Sequence, residues 1–422
     1  MHKETVLNNG LKVITNKFPD AHSLSVGLWI RTGGRYETLK NQGISHFMEH
    51  MLFKGTKNRS CQQIKQAIEE KGGAFNAFTS EECVCYYVKI LSRQLTLACD
   101  VLSDMVLNSV FNDKEIEKER KVIFEEIRMY LDLPMQYVHD LLDELLWPDH
   151  PLGLPLVGNY DIVGAISRRD LKAQKDIFYV PNNIIAVACG NINHDEFVAA
   201  MNKAFGKRRP VKQPAFKRAP KSIGIRRSSF FHKDTEQTHL CLGLKGLSRK
   251  DPLRFGLALL NIILGGNMSS RLFNEIREKR SLAYEIGSST KSYSDTGSFF
   301  IHAGVDNRKI KEAVLIMIRE LGKARRHLVT KKELSMAKEC FKSGLLMALE
   351  NTMSNMLFFG EQSSITGKIT TKDKILDEVG KVDVGMIKEV ATKLFYPEAL
   401  KLAVIGPQTD REKLELESLF IS

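Results

Sequence analysis

A chain of 422 residues is long enough for two domains with full cores, and its composition, 43% hydrophobic and 27% charged, excludes an intrinsically disordered polymer. No run approaches the ~18 apolar residues of a membrane span, and the opening "MHKETVLNNGLKVITN" has no apolar core of a signal peptide, so a soluble, cytoplasmic protein is expected. The net charge of +12 sits largely in one segment, Lys203 to Ser222, with no aromatic-basic array, so neither nucleic-acid nor membrane binding is expected.

In chain order, the first half opens with a strand, "LKVITNKF", a turn, and "HSLSVGLWIRTG", whose alternation fits a strand with one buried face. A short apolar helix follows, "GISHFMEHMLFKG", then a charged amphipathic helix, "SCQQIKQAIEEKGG", and two strands, "AFNAFTSEE" and "CVCYYVKIL". The long charged helix "DKEIEKERKVIFEEIRMYLD" carries Ile116, Val122, Ile123 and Ile127 as its core-facing stripe, and "NNIIAVACGNI" closes the half as a strand. After the basic, proline-containing segment the order recurs: the alternating "SSFFHKDTEQTHLCLGLKGL", the helices "FGLALLNIILGG" and "SSRLFNEIREKR", the strands "SLAYEIGSSTKSY" and "TGSFFIHAGV", and the closing strand "ALKLAVIGP". The expected fold is α+β: two similar duplicated domains, residues 1–205 and 225–422, each a mainly antiparallel sheet packed with helices, joined by an exposed basic linker at 206–224. Trp147 and the methionine-rich "LLMALENTMSNMLFF" read as packing, and seven cysteines without a CxxC pair read as buried thiols of a reducing compartment.

The repeat is asymmetric at one helix. "GISHFMEHMLFKG" carries His46, Glu49 and His50, and its counterpart in the second half carries no such residues, so a packing role does not require them. Residues four apart advance about 400° on a helix, which puts His46 and His50 on one face with Glu49 bordering it. The order His-x-x-Glu-His is that of the inverzincins, with two imidazoles as zinc ligands and the carboxylate beside them as acid/base. On the pentapeptide alone, a metal site and three polar residues on an ordinary helix both stay open. A catalytic zinc needs a third protein ligand, and Glu119 and Glu126, two turns apart on one face of the long charged helix, are the candidates. The remaining histidines, His139 and His150 among them, show no ligand spacing.

With "HFMEHMLFKGT" and "ERKVIFEEI" in view, the chain resembles the pitrilysin and mitochondrial processing peptidase family of inverzincin metallopeptidases over essentially its whole length. The resemblance implies a zinc endopeptidase acting on oligopeptides or unfolded segments, with one Zn²⁺ per chain held by His46, His50 and Glu126, the last 76 positions after His50, where the neighbouring Glu125 is one step off. It implies Glu49 as general base and acid toward a zinc-activated water, and Glu119 as a supporting glutamate. It places substrate backbone along an edge strand at Asn76, Ala77 and Phe78, and makes Arg277 and Tyr284, from "GGNMSSRLFNEIREKRSLAY", holders of substrate and its carbonyl. Large members of that family carry twice this length, and the half-length members pair, so a homodimer or a heterodimer with a related subunit is expected. The alternative is a non-catalytic peptide-binding or structural subunit of a processing-peptidase-like assembly, which in that family has lost ligands that this chain retains.

Overall fold

The computed structural model describes residues 2–222 and 224–420, which form two compact units. One unit takes the chain to Arg128, Leu154–Lys217 and Met347–Ile369; the other takes Met129–Gly153, Arg218–Leu346 and the chain from Thr370 onward. The units therefore do not follow the chain halves: each half lends a helical segment to the other.

The first half contributes strands β1 (His2–Val6), β2 (Lys12–Lys17) and β3 (Ser23–Ile30), helices α1 (Ile44–Leu52) and α2 (Cys61–Glu69), strands β4 (Ala74–Thr79) and β5 (Val84–Leu91), and helices α3 (Leu95–Asn108) and α4 (Asp113–Asp132). Helices α5 (Pro134–Leu146), α6 (Tyr160–Ala165) and α7 (Arg168–Phe178), strand β6 (Ile184–Gly190) and helix α8 (His194–Phe205) follow. The second half runs β7 (Ser228–His232), β8 (Gln237–Lys245), α9 (Arg254–Leu264), β9 (Ala283–Ser292) and β10 (Gly297–Asp306). It continues with α10 (Ile310–Arg326), α11 (Lys331–Ala348), α12 (Thr352–Thr366), α13 (Lys372–Lys381), α14 (Val384–Leu394), β11 (Lys401–Gly406) and α15 (Asp410–Ser418).

The two sheets share one topology, β1-β2-β6-β3-β5-β4 in the first and β7-β11-β8-β10-β9 in the second. Among the described residues, the closing strand of each sheet pairs in parallel, β6 with β2 and β11 with β7, and the other pairings are antiparallel. The α+β duplication expected of the pattern is thus visible strand for strand, with β1 as an addition at one edge. Among the described residues, no helix is long and apolar enough to cross a membrane.

The exchanged helices complete both cores. In the first unit α12 lays Met356 and Phe359 on Ile14, Trp29, Cys85 and Val187. Its approach to β3 is close enough to require glycine on both sides: a Cβ on Gly360 would stand 2.0 Å from Trp29 Cε2, and one on Gly27 would stand 2.4 Å from Met356 Sδ. In the second unit α5 buries Val138, Leu142 and Leu145 on Cys241, Phe300, Ala403 and Ile405, with Trp147 against Tyr293. Each such side chain contributes about 1.5–3 kcal/mol by leaving water, so a sheet without its borrowed helix exposes a full apolar face.

Three expectations are modified. Val122 is 43% exposed, while Ile116, Ile123 and Ile127 are buried: Ile123 and Ile127, 7 and 11 residues after Ile116, keep its face, and Val122 falls about 100° off it. "SSRLFNEIREKR" winds as a wide π-type turn over Phe273–Glu278, with Lys279 N–H donating to the Asn274 carbonyl five residues back. Among its described residues the basic segment has no helix or strand, but it is not a free spacer, because Phe216 stacks on the Arg35 guanidinium at 4.0 Å and edge-on against Tyr36.

Candidate metal centre

Helix α1 buries Ile44, Phe47, Met48, Met51 and Leu52, and this apolar stripe turns His46, Glu49 and His50 to the opposite side. Its N-terminal residue before the first turn is Gly43, left-handed at φ 85°, which offers no side-chain cap. The cap comes from outside the helix: the buried Glu37 carboxylate accepts from Gly43 N–H and Ser45 N–H, both at 2.8 Å.

Helix α4 supplies the opposing carboxylates. Glu126 Oε2 lies 3.7 Å from His46 Nε2 and 3.5 Å from His50 Nε2. Glu119, two turns earlier, accepts from His50 Nδ1 at 3.1 Å and from the Lys54 ammonium at 2.5 Å. The contact with Glu119 holds the His50 ring through Nδ1 and leaves Nε2 on the side of Glu126. Glu125 is exposed and paired with Arg128 at 3.2 Å, on the outer side of α4.

These distances fit a metal better than hydrogen bonds. Tetrahedral zinc with bonds of about 2.0–2.1 Å separates its ligand atoms by roughly 3.3–3.4 Å, and the two Glu126 contacts are only a few tenths of an ångström longer. One ligand atom from each of His46, His50 and Glu126 lies within 4.8 Å of the others, and among the described residues no other group of three does so. Two imidazoles and a carboxylate form a donor set suited to Zn²⁺. His139, His150 and the other histidines are gathered into no such cluster.

The electrostatics fit a cation as well. Burial first, and the neighbouring His50 second, lower His46 to about 4, so its imidazole is neutral and available as a ligand at neutral pH. Burial of His50 is outweighed by its hydrogen bond to Glu119 and the charges of Glu126 and Glu49, which raise it. Glu49 is raised by burial, against the pull of a hydrogen bond donated by the Thr79 hydroxyl at 2.6 Å. Burial of Glu119 is overcome by its bonds to His50 and Lys54, which hold it below the usual carboxylate range.

Thr79 and Glu37 are the residues that sequence reasoning missed. No local signal marks Thr79: it ends β4, which runs beside α1, and only the fold brings its hydroxyl to Glu49. Strand β4 is the outer strand of its sheet, and its free edge carries Asn76, Ala77 and Phe78. Phe78 packs edge-on against Trp29, while the Asn76 side-chain oxygen accepts from Ala77 N–H. Arg277 and Tyr284 lie in the second unit, where the Arg277 guanidinium sits 5.0 Å over the Tyr284 ring and donates to its carbonyl at 2.7 Å. The Tyr284 side of this pair is 74% exposed. The two residues line a cavity of about 580 Å³ together with Glu236, Glu278 and Asp306.

Comparison with known proteins places this arrangement. Residues 12–159 match the family described as insulinase (peptidase family M16), and residues 165–340 match the peptidase M16 inactive domain. The chain is 37% identical to the uncharacterized zinc protease YmxG of Bacillus subtilis, over 96% of this chain and 98% of that protein. It belongs to the peptidase M16 family. An uncharacterized zinc protease of Streptomyces coelicolor is 34% identical to this M16 chain over 98% of its length and 91% of the relative's. The fold matches the crystal structure of a protease from Helicobacter pylori with a TM-score of 0.90 at 23% identity, covering 96% of this chain and 99% of that one. The peptidase M16 inactive domain structure from Pseudomonas fluorescens matches with a TM-score of 0.89 at 18% identity, covering 97% and 98%. Helix α1 and both α4 carboxylates fall in the segment matched to the insulinase family, and Arg277 and Tyr284 fall in the segment matched to the inactive domain.

Proposed function

We propose that this M16 chain is a zinc-dependent endopeptidase hydrolysing oligopeptides or unfolded segments, with one zinc per chain held by His46, His50 and Glu126. The observation that carries the reading is the convergence of His46 and His50 from α1 with Glu126 from α4, next to the α1 carboxylate Glu49, which Thr79 anchors. A zinc ion there supplies Lewis acidity, which acidifies water toward a pKa of about 7 and polarises a carbonyl.

The protein groups do the rest. Glu49 takes the proton of the attacking water as oxygen adds to the peptide carbonyl, and returns it to the departing nitrogen as the C–N bond breaks. Thr79 keeps one carboxylate oxygen of Glu49 occupied, so the other is presented for proton transfer. The open edge of β4 suits an extended peptide bound through main-chain hydrogen bonds at Asn76–Phe78, which reads sequence loosely. Arg277 and Tyr284 are assigned to holding the substrate, with association as a homodimer or with a related subunit.

The test is Glu49→Gln. It removes the proton carrier but no ligand, so zinc stays at one per chain while cleavage of a fluorogenic peptide falls about 10²–10⁴-fold. Near-normal turnover in that variant refutes the role of Glu49. A wild-type chain that binds peptides but neither zinc nor cleaves would mark it as a binding subunit instead.

A further inference from the structure

We propose that Glu37 is a positioning residue for the metal centre, setting the direction of the His46 imidazole by capping the first turn of α1 from outside the helix. The inference rests on the metal-centre reading above. His46 is the third residue of α1, inside the turn whose N–H groups have no partner within the helix. Such a turn frays unless capped, and Gly43 has no side chain with which to cap it. Both Glu37 oxygens are spent on that turn, on Gly43 N–H and Ser45 N–H, and the buried carboxylate lies at the positive end of the helix dipole.

Glu37 is itself held in place. It closes a 3₁₀ turn, Gly34–Tyr36, with its N–H donating to the Gly34 carbonyl at 3.1 Å. The buried Arg35 ion-pairs with Glu82, and Gly34 and Arg35 N–H donate to the carbonyls of Ser80 and Glu81. Tyr36 packs edge-on against Phe178 and Phe216. The turn that receives these bonds begins directly after Thr79, the residue bonded to Glu49. A single bracket of chain, residues 33–37 clasped to residues 79–82, thus fixes a metal-ligand helix at its N-terminus and the acid/base carboxylate at its side.

Glu37→Gln preserves shape but turns an amide NH₂ toward a backbone N–H, losing one bond and the charge. The full-length protein is purified as the wild type, Glu37→Gln, Glu37→Asp and Asn183→Ala. Asn183 is a matched control, buried and bonded to two backbone carbonyls, those of Arg31 and Phe178. Zinc affinity is read by chelator competition, ligand geometry by the visible spectrum of the cobalt-substituted protein, and stability by melting of the metal-free protein.

The expected result is zinc affinity about 10–100-fold weaker in Glu37→Gln with an altered cobalt spectrum. Glu37→Asp, which keeps the charge, falls between it and the wild type, and Asn183→Ala lowers melting with affinity unchanged. If Glu37→Gln does not fold, the Asp variant decides by the same readouts. Glu37 variants that only melt earlier, with wild-type zinc affinity and cobalt spectrum, overturn the proposal. A wild type that binds no zinc overturns the metal centre itself, which is a distinct result.

Discussion

Removing the Glu119 carboxylate tests its proposed role as a support of the zinc site rather than a ligand. Glu119 is 6% exposed and bridges His50 Nδ1 and the Lys54 ammonium, so Glu119→Ala strips the imidazole of its orienting acceptor and leaves a partly buried ammonium without its carboxylate. Loss of such an outer partner typically costs about 10–100-fold in metal affinity, equivalent to about 1.4–2.7 kcal/mol at 1.36 kcal/mol per decade. Glu119→Gln keeps an oxygen that can accept from Nδ1–H, so it belongs near the lower figure, and Glu119→Ala near the upper. The assay is zinc competition against a chromophoric chelator at fixed pH, with Glu125→Ala as the control on the exposed side of α4. Equal affinity for Glu119→Ala and wild type, or a larger loss from Glu125→Ala, refutes the assignment of inner and outer carboxylates.

Two further outcomes follow from the same structure. Thr79→Val, isosteric without the hydroxyl, deletes one hydrogen bond to a charged carboxylate and should slow peptide turnover by about 10–100-fold while zinc stoichiometry holds; unchanged turnover would show that Glu49 is oriented by other contacts. Acid should loosen the second unit through His139, which burial first, then Lys291 and His302, lower from 6.5 to about 4. The unfolded chain takes up this proton before the folded one as pH falls, so the stability is intact above about 6.5 and lost progressively down to about 4. After allowance for partial exposure the loss is on the order of 1–3 kcal/mol. Urea unfolding at pH 7 and pH 4.5 should show a smaller acid loss in His139→Gln than in wild type, and equal losses would remove His139 from the account.

How much of this was readable beforehand depends on the range of the interaction. Strands such as Ser23–Ile30 and Gly297–Asp306 announce themselves by alternation and β-branched or aromatic residues, and α1 by its apolar stripe, all properties of neighbours in sequence. His46 and His50 are set by helix geometry alone. Glu126 was reached through the resemblance, since spacing along α4 left Glu119 equally eligible. The α4 stripe failed at Val122 because counting apolar residues is not the same as holding angle. Thr79 and Glu37 were invisible because their partners lie in other elements: 30 residues separate Thr79 from Glu49, and a loop carboxylate reaches the N–H of Gly43 across a turn. The apolar character of α5 and α12 was legible, but an apolar face does not state which sheet it will cover.

The distance in sequence between each sheet and its covering helix bears on how the protein is made. The first sheet ends its strands at Gly190, yet the helix that covers Trp29 begins at Thr352, after 161 intervening residues. At about 5–20 residues per second, a ribosome takes roughly 8–30 seconds to deliver it. For that interval the Trp29 face stands open on a tethered chain, while α5 is already available with no second sheet to receive it. A gene cut at the basic segment would yield two fragments, each with a bare sheet and a stray helix, and each able to supply what the other lacks.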